Sequence, residues 1–194
     1  MKISDIIKNK KHEKIITTAG KIGKKLNIPV YLVGGYIRDA FLNKDRVDID
    51  IMVGNNVFEF SKKLSNELKI NTTVNFEKFQ TSRIPHDECD IEIANARTEF
   101  YEPHSRKPSK IISASIEDDL IRRDFTINAI CMSLNEANFG ELIDPYKGLK
   151  DIDKGIIKTP ADPDKTFIDD PLRMLRAVRF ASQLNFSIPE EIKK

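Results

Sequence analysis

Two glycines, an arginine and two aspartates fall within a short stretch of the chain: Gly34-Gly35, Arg38 and Asp48-x-Asp50. Glycines between a strand and a helix let backbone N–H groups approach phosphate oxygens at the positive end of the helix dipole. Arg38 lies one helical turn on, placed for the same anion. In VDIDIMV the apolar residues Val47, Ile49, Ile51 and Val53 alternate with Asp48, Asp50 and Met52. On a strand both carboxylates therefore point the same way. A triphosphate carries several negative charges, and an in-line displacement on it needs both the entering and the leaving oxygen stabilised. Two Mg²⁺ ions held by shared carboxylates do this, and because Mg²⁺ keeps water and accepts phosphate oxygens, a pair of carboxylates suffices as anchor. A third carboxylate belongs on a neighbouring strand. CDIEIA offers Asp90 and Glu92 on one face, with Ile91 and Ile93 on the other, and period two alone does not separate the two acids. A bare Asp-x-Asp also suits a solvated strand edge. Its combination with the glycines and Arg38 is what points to phosphate chemistry.

The elements that must position these groups are legible in the spacing. Ile15, Ala19, Ile22 and Leu26 predict an amphipathic helix that stops at Asn27 and Pro29. Val30 to Val33 reads as a strand, the glycines as a turn, and YIRDAFL as a helix. Val57, Phe60, Leu64 and Leu68 mark another helix, capped near Asn55 or Asn56, and strand-like material runs from there to Ala94. Arg97 to Lys110 reads as a long loop, of the kind that is often functional. Ser115 to Asp118 is a candidate capping box for a short helix carrying RRDFTIN. DPYKGLKDI reads as a turn-rich connection, and Pro171 as the N1 proline of a helix over PLRMLRAVRFASQLNF, apolar enough on one side to be buried by elements outside this chain.

Composition bounds the rest. At 194 residues the chain holds one domain, or one domain and the beginning of a second. Interrupted apolar runs leave no bilayer-spanning stretch, and the N-terminus lacks an apolar signal region, which reads as cytoplasmic. Cys89 and Cys131 are isolated and read as buried thiols. His12, His86 and His104 are scattered and read as surface residues without a metal role. The lysines from Lys8 to Lys25 read as a solvated basic face. Arg122, Arg123, Arg173, Arg176 and Arg179 recur in patterned contexts instead.

These contexts carry a resemblance. YLVGGYIRDAFLNKDRVDIDIMV resembles the LVGGxVRDxLLG…DxDxxV signature of the bacterial-type (class II) tRNA nucleotidyltransferases and poly(A) polymerases, within the polymerase-β-like superfamily. EIANARTE resembles the strand with that family's third carboxylate, which falls on Glu92. SRKP with IEDDLIRRDFTINAI resembles its flexible loop and RRDFTINA motif, DPYKGLKDI its DPxxGxxDL segment, and DDPLRMLRAVRFASQLNF the helix that opens its neck. Coverage runs from about Val30 to Phe186, in family order. Asp169 stands where the family usually has Glu, and Asn43 where it usually has Gly. Family members continue past this helix with neck, body and tail domains.

The resemblance implies an α/β (α+β) fold: a polymerase-β-like head with a small mixed sheet flanked by helices. It implies an N-terminal helix over residues 1–29, the catalytic head over 30–155, and the start of a helical neck over 156–194. It further implies template-independent transfer of CMP and AMP from CTP and ATP to the 3′ end of tRNA, with Mg²⁺ as cofactor. Gly34, Gly35 and Arg38 would bind the triphosphate. Asp48 and Asp50 would bind the metals, one of them also acting on the RNA 3′-hydroxyl, with Glu92 assisting. Arg123 and Asp124 would hold the ribose, supported by Asn128. Asp170 and Arg173 would read the base, with Arg176 as a second phosphate or base contact. The same head motifs also suit a poly(A) polymerase or an enzyme adding only CC or only A, although the loop after Arg97 disfavours CC-only addition. A head that binds nucleotide without turnover is the reading of another class.

Overall fold

The computed structural model describes residues 6–45, 48–87, 89–101 and 108–193. The chain divides into two compact units that are discontinuous in sequence, residues 1–96 with 131–143, and residues 97–130 with 144–194.

The first unit is built on a seven-stranded sheet. Helix α1 (Lys10–Leu26) opens it and buries Ile15, Ile16, Ala19 and Ile22, the stripe that the spacing predicts. Asn27 ends the helix in the left-handed region, φ 54°, a conformation that asparagine tolerates better than most residues. Then follow β1 (Val30–Val33), α2 (Gly35–Phe41), β2 (Ile49–Val53), α3 (Val57–Glu67), β3 (Val74–Phe76), β4 (Thr81–His86) and β5 (Cys89–Asn95). Strands β8 (Cys131–Ser133) and β9 (Leu142–Ile143) complete the sheet, in the spatial order β3-β4-β5-β2-β1-β8-β9. The sheet is mixed, as expected, but not small: β2 and β5 run parallel while the other pairs are antiparallel.

Alternation divides the sheet into two faces. Ile49, Ile51, Val53, Ile84, Ile91 and Ile93 are buried on one. Helix α3 lies on that side, where its Ser61 hydroxyl meets the Ser82 hydroxyl of β4 at 2.6 Å. Helix α1 approaches β1 so closely that a methyl at Gly23 would meet Val30 Cγ2 at 2.3 Å. Asp50 and Glu92 fall on the other face, half-buried and exposed respectively. Met52 shares that face yet is 1% exposed, so only the end of β2 that carries the acids is open. Val47 lies outside the described residues.

Two expectations for this unit are corrected. Asn56 holds the N-cap position of α3 with φ 55° but its side chain does not cap; Asn95 Oδ1, from the end of β5, accepts from Val57 N at 3.1 Å instead. His12 is not a surface residue. It is buried on α1, with Nδ1 3.2 Å from the Tyr36 hydroxyl, because the polar side of α1 is covered where α2 begins.

The second unit holds a two-stranded ribbon, β6 (Arg97–Tyr101) and β7 (Pro108–Ser113), where a long loop is expected. Thr98, Phe100, Ile111 and Ile112 are good strand formers, and the proline and charges around them mask that tendency in the pattern. Residues 102–107, with His104, lie outside the described residues. Helix α4 (Ile116–Ile121) is opened by the predicted capping box, with Ser115 Oγ accepting from Asp118 N and Asp118 Oδ2 accepting from Ser115 N. RRDFTIN follows α4 rather than lying on it, and closes in a 3₁₀ turn, Thr126–Asn128. DPYKGLKDI is not only turn: it turns at Asp144 and becomes α5 (Gly148–Lys154). Beyond it are α6 (Pro163–Asp169), α7 (Leu172–Leu184) and the short α8 (Glu190–Lys193). Helix α7 buries Ala177 and Phe180 on one side and leaves Met174, Leu175 and Val178 half or more exposed on the other. Both cysteines are buried and neither is in a disulfide among the described residues. No helix among the described residues is long and apolar enough to cross a membrane.

Candidate active site

Gly34 occupies φ 70°, ψ −133°, a region closed to residues with a Cβ, and its carbonyl accepts the first N–H bonds of α2, from Ile37 and Arg38. Arg38 folds back over this turn: a Cβ on Gly35 would lie 3.4 Å from an Arg38 guanidinium nitrogen. Asp39 fixes that guanidinium from below through a two-point pair, Nε to Oδ1 at 2.8 Å and Nη2 to Oδ2 at 2.9 Å. Side-chain exposure is only 12% for Arg38, so its orientation is held by the chain itself. The Gly-Gly turn and the arginine thus lie against one another. Asn43, where the resembled pattern has glycine, stands at φ 51° and accepts from Lys8 Nζ, so asparagine serves the left-handed position at the end of the α2 turn.

The register of β2 against β5 places Asp50 directly beside Glu92. Neighbouring strands run ~4.8 Å apart, and in-register residues share a face. Asp48 is exposed and lies just before β2, two residues from Asp50. A residue that the sequence does not flag bears on the choice between Asp90 and Glu92 that alternation leaves open. Arg83 on β4 lies in register with Glu92 from the far side, and its guanidinium pairs with Asp90. Asp90, with Glu92 and Asp48 further off, raises the Arg83 pKa above its ordinary value. TSRIPH does put Arg83 opposite Ile84, but only strand pairing shows that it faces the acids.

Hard carboxylate oxygens are the ligand type that Mg²⁺ takes. Among the described residues no group of three or more His, Cys, Asp and Glu side chains is gathered so that it could hold a metal ion by itself. A cation that takes one or two carboxylates and completes its shell with phosphate oxygens and water needs no such group.

The second unit holds the remaining candidates. Asp119, at 1% exposure, accepts from Arg122 at 2.6 Å and from Arg123 at 3.0 Å. Burial opposes its charge, but the two guanidiniums overcome it and hold the carboxyl below the usual range. Arg123 also points a nitrogen at the Asn128 carbonyl. Asp124 Oδ1 accepts from Asn128 Nδ2 at 3.0 Å and from Phe125 N, while Oδ2 pairs with Arg176 at 2.5 Å. Arg176 and Arg179 both lie over the Phe180 ring, which meets Phe125 edge-on. Arg173 is buried and donates to the carbonyls of Arg122, at 2.8 Å, and Thr166. Asp170 accepts from Leu172 N at the start of α7. Asp170 and Arg173 thus sit at the mouth of one helix, with separate partners.

DPYKGLKDI, whose spacing has no evident chemistry, is a fastening for the RRDFTIN segment. Asp144 caps α5 through Gly148 N and Leu149 N, Asp151 accepts from the Thr126 hydroxyl at 2.6 Å, and a Cβ at Gly148 would lie 2.1 Å from the Thr126 carbonyl oxygen.

The chain is similar to known proteins in sequence and in fold. The chain is 40% identical over 164 residues to the A-adding tRNA nucleotidyltransferase of Aquifex aeolicus, covering 84% of this chain and 19% of that protein. It is 38% identical to the CCA-adding enzyme of Geobacillus thermodenitrificans, covering 84% of this chain and 39% of the relative. Among solved structures, an apo form of a CCA-adding enzyme matches with a TM-score of 0.85 at 37% identity, over 95% of this chain and 43% of that one. The Thermotoga maritima CCA-adding enzyme complexed with tRNA matches with a TM-score of 0.79 at 36% identity, over 94% and 40%. The chain spans less than half the length of each. The mixed sheet is accordingly that of the polymerase-β-like fold. Residues 30–158, from the first strand of the Gly-Gly turn to the segment that fastens RRDFTIN, match the family described as the Poly A polymerase head domain, and the chain belongs to that family.

Proposed function

We propose that this chain is the catalytic part of an enzyme that adds CMP and AMP from CTP and ATP to the 3′ end of tRNA, without a nucleic-acid template, in the cytoplasm. The observation that carries the reading is the pairing of Asp50 with Glu92 across parallel strands, on the open face of a sheet whose next strand ends in the Gly34-Gly35 turn. The family depends on divalent metal, and we assign Mg²⁺, which when bound neutralises phosphate charge and stabilises the entering and leaving oxygens. Asp48 and Asp50 would hold it. Gly34, Gly35 and Arg38 bind the triphosphate, backbone N–H groups and guanidinium against its oxygens. One of the two aspartates takes the proton of the RNA 3′-hydroxyl as that oxygen attacks the α-phosphorus and pyrophosphate leaves, with Glu92 assisting. In the second unit, Asp124 accepts from the ribose 2′-hydroxyl, held in place by Asn128 and Arg176, and Arg123 steadies the segment through Asp119 and the Asn128 carbonyl. Asp170 and Arg173 read the base edge of cytosine or adenine. Residues 30–155 form the head in this reading, residues 1–29 its N-terminal helix, and residues 156–194 open a helical neck.

Addition of A alone is the second reading, favoured by the names of relatives at 40%, 33% and 35% identity, all A-adding tRNA nucleotidyltransferases. Incubation with Mg²⁺, each labelled NTP singly, and tRNA ending before CCA or after CC separates the two. CMP on the first tRNA and AMP on the second indicate CCA addition; AMP on the second alone indicates A addition; no incorporation indicates a head that binds without turnover. Arg173→Ala in the same assay is expected to reduce the preference for CTP and ATP over UTP and GTP at least about tenfold, because a site that pairs polar groups rejects bases that leave them unsatisfied. Unchanged four-nucleotide selectivity in the folded variant assigns Arg173 to its two carbonyl contacts alone.

A further inference from the structure

We infer that Arg83 is a positioning residue of the metal-binding face: by taking up Asp90 it reserves Glu92 for the site of Asp48 and Asp50, and its charge sets how tightly that site holds a divalent cation. The inference rests on the metal-site reading proposed above and extends it to a residue outside the matched motifs.

Three strands carry the argument. Asp50, Glu92 and Arg83 occupy one transverse row, since Asp50 pairs with Glu92 across β2 and β5, and Glu92 pairs with Arg83 across β5 and β4. In-register residues share a face, so the row reads carboxylate, carboxylate, guanidinium at steps of ~4.8 Å. Two residues before Glu92, Asp90 lies on the same face, and alternation makes it an equal claimant for the metal. The Arg83–Asp90 hydrogen bond removes that equality. A carboxylate whose oxygen is engaged by a guanidinium is a poorer metal ligand, because the cation must displace a charge-assisted bond. The side chains of Arg83 and Asp90 are 48% and 33% exposed, so the pair stands at the surface beside the site and is not part of the core. The guanidinium also feels Glu92 and Asp48 through space. A fixed positive charge within reach of metal ligands opposes the arriving cation, and an arginine keeps that charge at every working pH.

The consequence is a metal site whose affinity is held down by a neighbour that is not a ligand. Removing the charge and releasing Asp90 act in the same direction. Neutralising Asp90 instead leaves Arg83 without its partner and next to Glu92, which acts in the opposite direction.

The test is Mn²⁺ binding to the purified chain, read from the electron paramagnetic resonance signal of free Mn²⁺ at low and at high salt, with circular dichroism as the check on folding. Arg83→Gln is expected to bind Mn²⁺ about three- to tenfold more tightly than the unaltered chain, with the gain shrinking in about 1 M salt. Arg83→Lys keeps the charge and is expected to stay within about twofold. Asp90→Asn is expected to weaken binding about threefold, and, made on top of Arg83→Gln, to remove only the share of the gain that the released Asp90 supplies. Unchanged or weaker Mn²⁺ binding in a folded Arg83→Gln overturns the inference. So does a loss from Asp90→Asn, made on top of Arg83→Gln, that is as large as the loss from Glu92→Gln. Asp50→Asn in the same titration keeps the two readings apart. If it abolishes binding while Arg83→Gln changes nothing, only the role of Arg83 falls; if it leaves binding intact, the metal site itself is misassigned and both fall.

Discussion

Asp50→Ala is expected to lower nucleotide incorporation by at least about a thousandfold while leaving the thermal unfolding of the chain nearly unchanged, and Asp48→Ala to do the same. The size follows from chemistry: the aspartates anchor the charge that stabilises both oxygens of the displacement, and several kcal/mol of transition-state stabilisation corresponds to three or more powers of ten in rate. The neutrality toward folding follows from position. Asp50 is half-buried on the open face of β2, and the strand is held by its other side, where Ile49, Ile51 and Val53 are at most 1% exposed. Removing a partly solvated carboxylate from beside Glu92 relieves like-charge repulsion and creates no cavity in the core. Single-turnover incorporation and a melting curve on the same preparation make the comparison. Turnover near the unaltered rate in either variant means that the acids of β2 are a solvated face.

The second large effect is on stability and lies in the other unit. Asp119→Ala is expected to cost about 3–5 kcal/mol, because removing one member of a buried ionic group leaves the others uncompensated. Arg122 and Arg123 converge on the two oxygens of this carboxylate, and Arg97 N donates to it as well. With Asp119 gone, two guanidiniums face each other across an empty position. The same group sets an acid limit. The folded-state pKa of Asp119 is depressed below an unfolded value of about 3.9, so its contribution is fully present above that value and is lost as pH falls through the lower folded value. Urea titrations of the unaltered chain and of Asp119→Asn are therefore expected to differ by a constant amount from about pH 7 to about 5 and to converge below about pH 4. A difference under about 1 kcal/mol at neutral pH would mean that the two arginines find other partners at little cost.

Local periodicity reaches far into this molecule and then stops at a definable point. Helix α1, the β1-turn-α2 unit, the alternation of VDIDIMV and CDIEIA and the Ser115–Asp118 cap all rest on interactions between near neighbours in the chain, and spacing shows them. What spacing does not show is register. Asp50 and Glu92 are side by side only because β2 and β5 run parallel, and Arg83 meets Asp90 only because β4 turns back on β5. Nothing in TSRIPH distinguishes an arginine facing acids from an arginine facing water. His12 is missed for a related reason: a polar residue on the wet side of an amphipathic helix is buried when a later element, Tyr36, covers it. The ribbon of β6 and β7 and the helix within DPYKGLKDI are short elements whose residues are ambivalent, and tertiary partners decide them. The resemblance singles out RRDFTIN, but its fastening by Asp144, Gly148 and Asp151 is a property of packing.

The proposed roles of Gly34, Gly35, Arg38, Asp48, Asp50 and Glu92 meet in one claim, that a nucleoside triphosphate and its divalent cation bind together on the open face of β2 beside the Gly-Gly turn. A crystal structure of this chain with Mn²⁺ and a non-hydrolysable CTP analogue, read by the anomalous signal of manganese, tests it most directly. The expected result is an anomalous peak within bonding distance of the Asp48 and Asp50 carboxylates, with the triphosphate against the N–H groups of Gly34-Gly35 and the Arg38 guanidinium. Manganese and triphosphate bound away from β2, with Asp48 and Asp50 facing only water, would contradict it.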